Sequence, residues 1–333
     1  MENVKNVYNV IKKENMKKFL TPVLIVVILI ISAGIYKFNF TNDDIYIEKN
    51  GVVVPYDDIK NITTSIVPLA SLAHTIGWTS VEVTNLVPAW VSPHNFDLSP
   101  KQVQQIVNSD LLISFGLEHI DGFLEDIPWS TWGLRVSNGI ELIEEWEVLK
   151  LNQHDSHDDH DSHHADPHIW TGPENAKIIA KKITNAFIEL DASKKDYFES
   201  NYDKLSLSID DTVASFKKNT SWKTLANFIV FHDAYNYLFS DLGIESSKKT
   251  IFRSNVLTNP NASEIKEILD QIKNQNIKYI FTEPQFNDGN VLQFAKKHNL
   301  EILVLDPLGD NISDSGYLNT LESNLKNLEK IYE

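Results

Sequence analysis

No cysteine occurs among the 333 residues, which excludes a disulfide framework, a thiolate zinc site, a cysteine nucleophile and a lipid-accepting cysteine. Positive charge is also short. The 30 Lys+Arg against 46 Asp+Glu leave a formal charge of -16, so nucleic acid, which is bound by neutralising phosphates, is not an expected partner. A cation suits that balance, and any metal must be held by nitrogen and oxygen. The His-Glu-x-x-His helix of zinc proteases is absent. Glycine and proline are missing between Pro173 and Gly243, which leaves room for long helices.

The 42% hydrophobic content fills two lobes of ordinary domain size. One apolar run stands apart. Residues 19–36 carry no charge and follow Lys12, Lys13, Lys17 and Lys18. Eighteen residues rising ~1.5 Å each span ~27 Å, enough to cross a bilayer core, and the upstream lysines keep the amino terminus in the cytoplasm. Residues 1–40 therefore read as a cytoplasmic tail plus either a membrane anchor or a signal peptide cleaved near Ser32-Ala33-Gly34, with the length of the run favouring the anchor. Everything after them is expected outside the cytoplasm, at the cell surface or in a periplasm, tethered through 19–36.

Residues 41–60 read as a linker. From Asn61 onward β-branched runs alternate with helical periodicity. Ile62-Thr63-Thr64-Ser65-Ile66-Val67 is followed by Pro68, opening a helix that stops at Gly77, and Val81 to Val87 by a helix capped at Ser99-Pro100. Strands alternating with helices predict an α/β fold with mainly parallel sheets flanked by helices. Phe198, Tyr202, Leu205, Ile209, Val213 and Phe216 step by four and three, the stripe of one long amphipathic helix suited to be a stiff spine between lobes. The expected division is an N-terminal lobe over 61–190, a linker helix over 191–220 and a C-terminal lobe over 221–333.

A histidine-rich tract lies within the N-terminal lobe. His154, His157, His160, His163 and His164 alternate with aspartate and serine without an apolar residue, so a mobile loop over 152–165 is expected, with auxiliary weak metal capture. Asp166-Pro167-His168-Ile169-Trp170 then restores turn and core residues, giving His168 a packed context. In the second lobe, strand-like runs end just before His232, Glu283 and Asp306, and His94 occupies the matching loop of the first. Ligands of open α/β sheets gather at those carboxyl ends. His94, His168, His232 and Asp306 form the candidate site, three imidazoles and a carboxylate suiting tetrahedral Zn²⁺. Mn²⁺ asks for more oxygen and fits less well. Glu283 is the spare carboxylate, expected to support a ligand or serve as an alternative one. His74, His119 and His298 have no partner pattern.

These residues resemble the extracytoplasmic solute-binding proteins of zinc and manganese ABC transporters. The resemblance spans 62–331 and rests on Thr64-Ser65-Ile66-Val67-Pro68-Leu69-Ala70, Pro93-His94-Asn95-Phe96, Asp166-Pro167-His168-Ile169-Trp170, Phe231-His232-Asp233-Ala234-Tyr235, Thr282-Glu283-Pro284-Gln285-Phe286 and Leu305-Asp306-Pro307-Leu308-Gly309. It implies two lobes joined by a long rigid helix, metal in the cleft between them, and a high-affinity receptor that passes Zn²⁺ to an ABC permease. Histidine at 232, where manganese receptors of this kind carry glutamate, points to the zinc branch. One departure is Pro88-Ala89-Trp90, where the family has Pro-Pro-Gly before the first ligand. A monomer that is not an enzyme is expected. The alternatives are a manganese or iron receptor of the same fold and, lower, an extracellular zinc hydrolase.

Overall fold

In the computed structural model, the residues described are 46–49, 52–55, 59–125, 127, 133–136, 166–253, 258–286 and 289–333. The apolar segment 19–36, the histidines of 154–164, Trp129 and Trp132 lie outside them. Among the described residues, no helix is long and apolar enough to cross a membrane.

Short strands β1 (Tyr46–Lys49) and β2 (Val52–Pro55) precede two parallel α/β lobes. The first lobe carries β3 (Lys60–Thr64), α1 (Val67–Gly77), β4 (Val81–Asn85), α2 (Pro100–Val107), β5 (Leu111–Ser114), a one-turn helix α3 (Glu118–Asp121) and β6 (Gly133–Arg135). Helices α4 (Pro173–Leu190) and α5 (Lys195–Thr220) follow. The second lobe adds β7 (Phe228–Val230), α6 (Asn236–Leu242), β8 (Lys249–Ile251), α7 (Ala262–Gln275), β9 (Tyr279–Thr282), α8 (Gly289–Lys297), β10 (Glu301–Val304) and α9 (Gly316–Glu329).

Both sheets share one topology. The first runs β4-β3-β5-β6 and the second β8-β7-β9-β10, so in each lobe the strand order is second, first, third, fourth, with every pairing parallel. Strand order reverses between the first and third strands, and the crevice at their carboxyl ends is where such sheets bind ligands. In the second lobe those strands are β7, which exits to His232, and β9, which exits to Glu283.

Local chemistry places the helix ends. Pro68 stands in the first turn of α1, and capping boxes start α2 at Ser99 with Gln102 and α7 at Asn261 with Glu264. Helix α6 stops at Gly243, whose φ of 72° is readily adopted without a Cβ.

The 26 residues of α5, ~39 Å at ~1.5 Å each, bury Phe198, Leu205, Ile209 and Phe216 and half-bury Tyr202 and Val213, along the expected stripe. That face packs on α1 and α4 and, further along, on α9 of the second lobe. One hydrophobic core accordingly runs through both lobes, from Ile62 and Trp170 to Leu305 and Leu328.

Candidate metal centre

Three elements deliver the histidines. His94 lies in a single 3-10 turn (Pro93–Asn95) after β4, with Pro93 and the Ser92 side chain shaping its start. His168 precedes another such turn (Ile169–Thr171) and is anchored by its neighbours: Trp170 is 1% exposed and donates Nε1–H to the Pro307 carbonyl at 2.6 Å. His232 follows β7 after Phe231. His168 and His232 are each buried to 6% exposure.

The three imidazoles converge edge on. His94 Nε2 lies 3.2 Å from His168 Nε2, and His232 Nε2 lies 3.3 Å from the same atom. One ligand atom from each residue falls within 4.8 Å of the others. Ligand atoms on a tetrahedron with zinc–nitrogen bonds of ~2.0–2.1 Å are roughly 3.3–3.4 Å apart, which the two separations from His168 match.

The outward nitrogens are all tied. His168 Nδ1 is 2.8 Å from Asp166 Oδ1, whose Oδ2 accepts from Asn236 Nδ2 at 3.0 Å. His232 Nδ1 is 2.7 Å from Glu283 Oε1, an ion-pair contact without the alignment of a regular hydrogen bond, and Glu283 is itself 4% exposed. The His94 ring is hydrogen-bonded to the His119 backbone carbonyl. Acceptors on the outer side place the ring protons there and turn the Nε2 lone pairs inward. Three lone pairs facing one another need a cation between them.

Burial and charge reinforce this. Burial, followed by the neighbouring His168 and His232, lowers the His94 pKa to about 2, so its ring is neutral at any working pH. For His232, burial also acts downward, but the charges of Glu283, Asp233 and Asp166 and the Glu283 contact outweigh it, and the pKa is raised. Burial would raise the Asp166 pKa, yet its contacts to His168 and Asn236 hold it below the ordinary value.

Asp306 is not in the mutually close group. Its Oδ1 accepts from Leu308 N and Gly309 N, each at 3.0 Å, and from Gln285 Nε2 at 2.9 Å. It also lines a small cavity beside Trp170, Ser71 and Tyr317. Glu283, expected to support a ligand or serve as an alternative one, lies against His232 Nδ1. Three further groups carry work that the sequence reading left unassigned: the Asp166 carboxylate, the His119 carbonyl and the Gln285 amide. The Asp-Pro-His spacing of 166–168 was a usable signal for the first, since carboxylates often orient metal-bound histidines. A backbone carbonyl leaves no such signal.

Residues 62–331 match the family described as zinc-uptake complex component A, periplasmic. The chain belongs to this family. It is 29% identical over 283 residues to the high-affinity zinc uptake system protein ZnuA of Yersinia pestis, covering 78% of this chain and 87% of that one. It is 24% identical over 289 residues to the manganese ABC transporter substrate-binding lipoprotein PsaA of Streptococcus pneumoniae, covering 83% and 89%. The fold is that of a ZnuA crystal structure, with a TM-score of 0.70 at 23% identity over 83% of this chain and all of that one. The family comprises extracytoplasmic receptors for metal import, not enzymes, and Zn²⁺ is the ligand that the zinc-uptake relatives point to.

Proposed function

We propose that the chain captures Zn²⁺ outside the cytoplasm on His94, His168 and His232 and delivers it unaltered to the permease of an ABC importer. The observation that carries this is the convergence of three imidazoles, with His168 Nε2 at zinc spacing from the Nε2 of both others and each ring secured through its other side. Asp306 contributes at most one oxygen as fourth ligand, because three N–H donors already engage its Oδ1. The tract of 154–164 serves as a shallow collector, and the segment 19–36 as the tether that keeps the receptor at the membrane.

A hydrolase reading requires a general base beside a metal-bound water. Glu283, the buried carboxylate nearest the imidazoles, is engaged with His232 Nδ1, on the side of that ring away from its Nε2. Three nitrogen ligands likewise favour zinc over the more oxygen-seeking manganese.

The test is Zn²⁺ binding by the full chain, measured by calorimetry with chelator competition. One ion should bind tightly. His232→Ala should weaken that site by at least a hundredfold, in keeping with the loss of a ligand in place of the roughly 10–100-fold typical of a supporting group. Deletion of 154–164 should leave it within a few fold. The reverse ranking would remove the division between collector and site.

A further inference from the structure

The side chain that restrains Asp306 comes from a different strand's exit. Of the three donors on Asp306 Oδ1, two are amides of its own turn, Leu308 N and Gly309 N, and the third is Gln285 Nε2 from the turn after β9. The same Nε2 donates to the Ala89 carbonyl at 3.1 Å, in the loop leading to His94. Gln285 also lines the cleft beside all three histidines. Both of its partners are acceptors only, so the amide has one workable orientation, with nitrogen toward Asp306. Its Oε1 is left buried with no hydrogen bond among the described residues. A buried amide oxygen without a donor is costly, and a methionine of similar size would avoid that cost, so the useful group here is the donor.

We propose that Gln285 is a specificity-determining residue: together with the two turn amides it limits Asp306 to one available oxygen and keeps the site nitrogen-rich, favouring Zn²⁺ over Mn²⁺. Zinc is content with four ligands, several of them imidazoles, whereas manganese favours a larger set rich in oxygen. The amides of Leu308 and Gly309 are fixed by the backbone and move only with the turn. Gln285 reaches across from another element, and its loss alone frees a lone pair on Oδ1. With that direction open, Oδ1, still held by the two turn amides, can accept an ion alongside them, so that both oxygens of the carboxylate are on offer, which adds the coordination that Mn²⁺ needs and Zn²⁺ does not. This inference rests on the proposed function, with the three histidines and one oxygen of Asp306 as the ion's ligands.

The experiment compares the full wild-type chain with Gln285→Met, Asp306→Ala and the double variant. Zn²⁺ and Mn²⁺ affinities are measured by chelator competition, with the electron paramagnetic resonance of bound Mn²⁺ as a second readout. Gln285→Met should raise Mn²⁺ affinity relative to Zn²⁺ by about tenfold, the scale on which groups behind metal ligands act, and should alter the Mn²⁺ spectrum. Adding Asp306→Ala should cancel the gain. An unchanged Mn²⁺/Zn²⁺ ratio in Gln285→Met overturns the proposal. So does a gain that survives Asp306→Ala, because it would then run through the Ala89 contact. Gln285→Leu, which removes the donor without adding an oxygen ligand, carries the same expectation should the methionine variant not fold. Failure of the three-histidine reading looks different: His232→Ala would leave Zn²⁺ binding intact whatever occupies position 285.

Discussion

At the scale of single residues, the site is a set of opposed electrostatic demands. His94 is neutral because it is buried beside two other imidazoles, and its pKa is lowered to about 2, while the carboxylate of Glu283 raises that of His232 against burial. The two have opposite consequences for stability. Between pH 2 and 6.5 His94 is protonated only when the chain is unfolded, so acid favours unfolding, and its penalty grows as pH falls below the ordinary histidine pKa. His232 binds its proton more tightly when folded, so its contribution is complete below pH 6.5 and is lost as pH rises through its raised value. In metal-free protein, His94→Asn should therefore reduce the loss of stability between pH 6.5 and pH 5 by about 1.6 kcal/mol, read by urea unfolding at each pH. An acid profile unchanged by the substitution would mean that His94 is not held neutral.

At the scale of elements, the two lobes are fastened by close contacts that only small residues permit. Helix α1 of the first lobe meets the start of α9 of the second, where Ser71 Oγ accepts from Tyr317 N at 2.6 Å and donates to the Ser313 carbonyl at 3.3 Å, and Thr75 Oγ1 donates to the Asp314 carbonyl at 3.1 Å. Gly316 lies in this contact. A Cβ added there would come within 2.2 Å of the Asn311 carbonyl oxygen and 2.6 Å of Ser71 Oγ, and the first of these is backbone that cannot swing aside. Gly316→Ala should cost about 1–3 kcal/mol through overpacking and lower the melting temperature by several degrees in a calorimetric scan. An unchanged melting temperature would show that the helix start yields freely. The same fastening explains how Trp170 can hold His168 from one side and Pro307 from the other.

At the scale of the whole molecule, a core continuous from Ile62 to Leu328 makes the lobes one cooperative body, although each has its own four-stranded sheet. Helix α5 contributes to that continuity by packing on α1 at one part of its length and α9 at another. The described residues should unfold in one transition, seen as a single calorimetric peak. Zn²⁺ in a thousandfold excess over its Kd should move the peak upward by on the order of 10 °C, and a chelator should reverse the shift. Two peaks, with only one responding to zinc, would mean that the lobes are energetically separate.

The candidate histidines, their order and the family were legible in the sequence because they rest on local signals. Each of His94, His168 and His232 follows a strand or turn signal that side-chain periodicity and proline announce. The long helix was legible for the same reason, since its stripe repeats within one element. What only the tertiary structure decided is which atoms meet. His94 and His168 are separated by 74 residues and His168 and His232 by 64, so their 3.2 and 3.3 Å approach is set by how the lobes pack, not by any stretch of chain. Asp306 was grouped with them from its place after a strand, yet the turn that follows and the distant Gln285 occupy its Oδ1, and no local pattern reports a donor 21 positions away. The sequence by itself determined that two imidazoles would stand at the carboxyl edges of two sheets and a third in a packed turn. Packing across the cleft determined that they face one another, and that a carboxylate, a carbonyl and an ion pair hold them so.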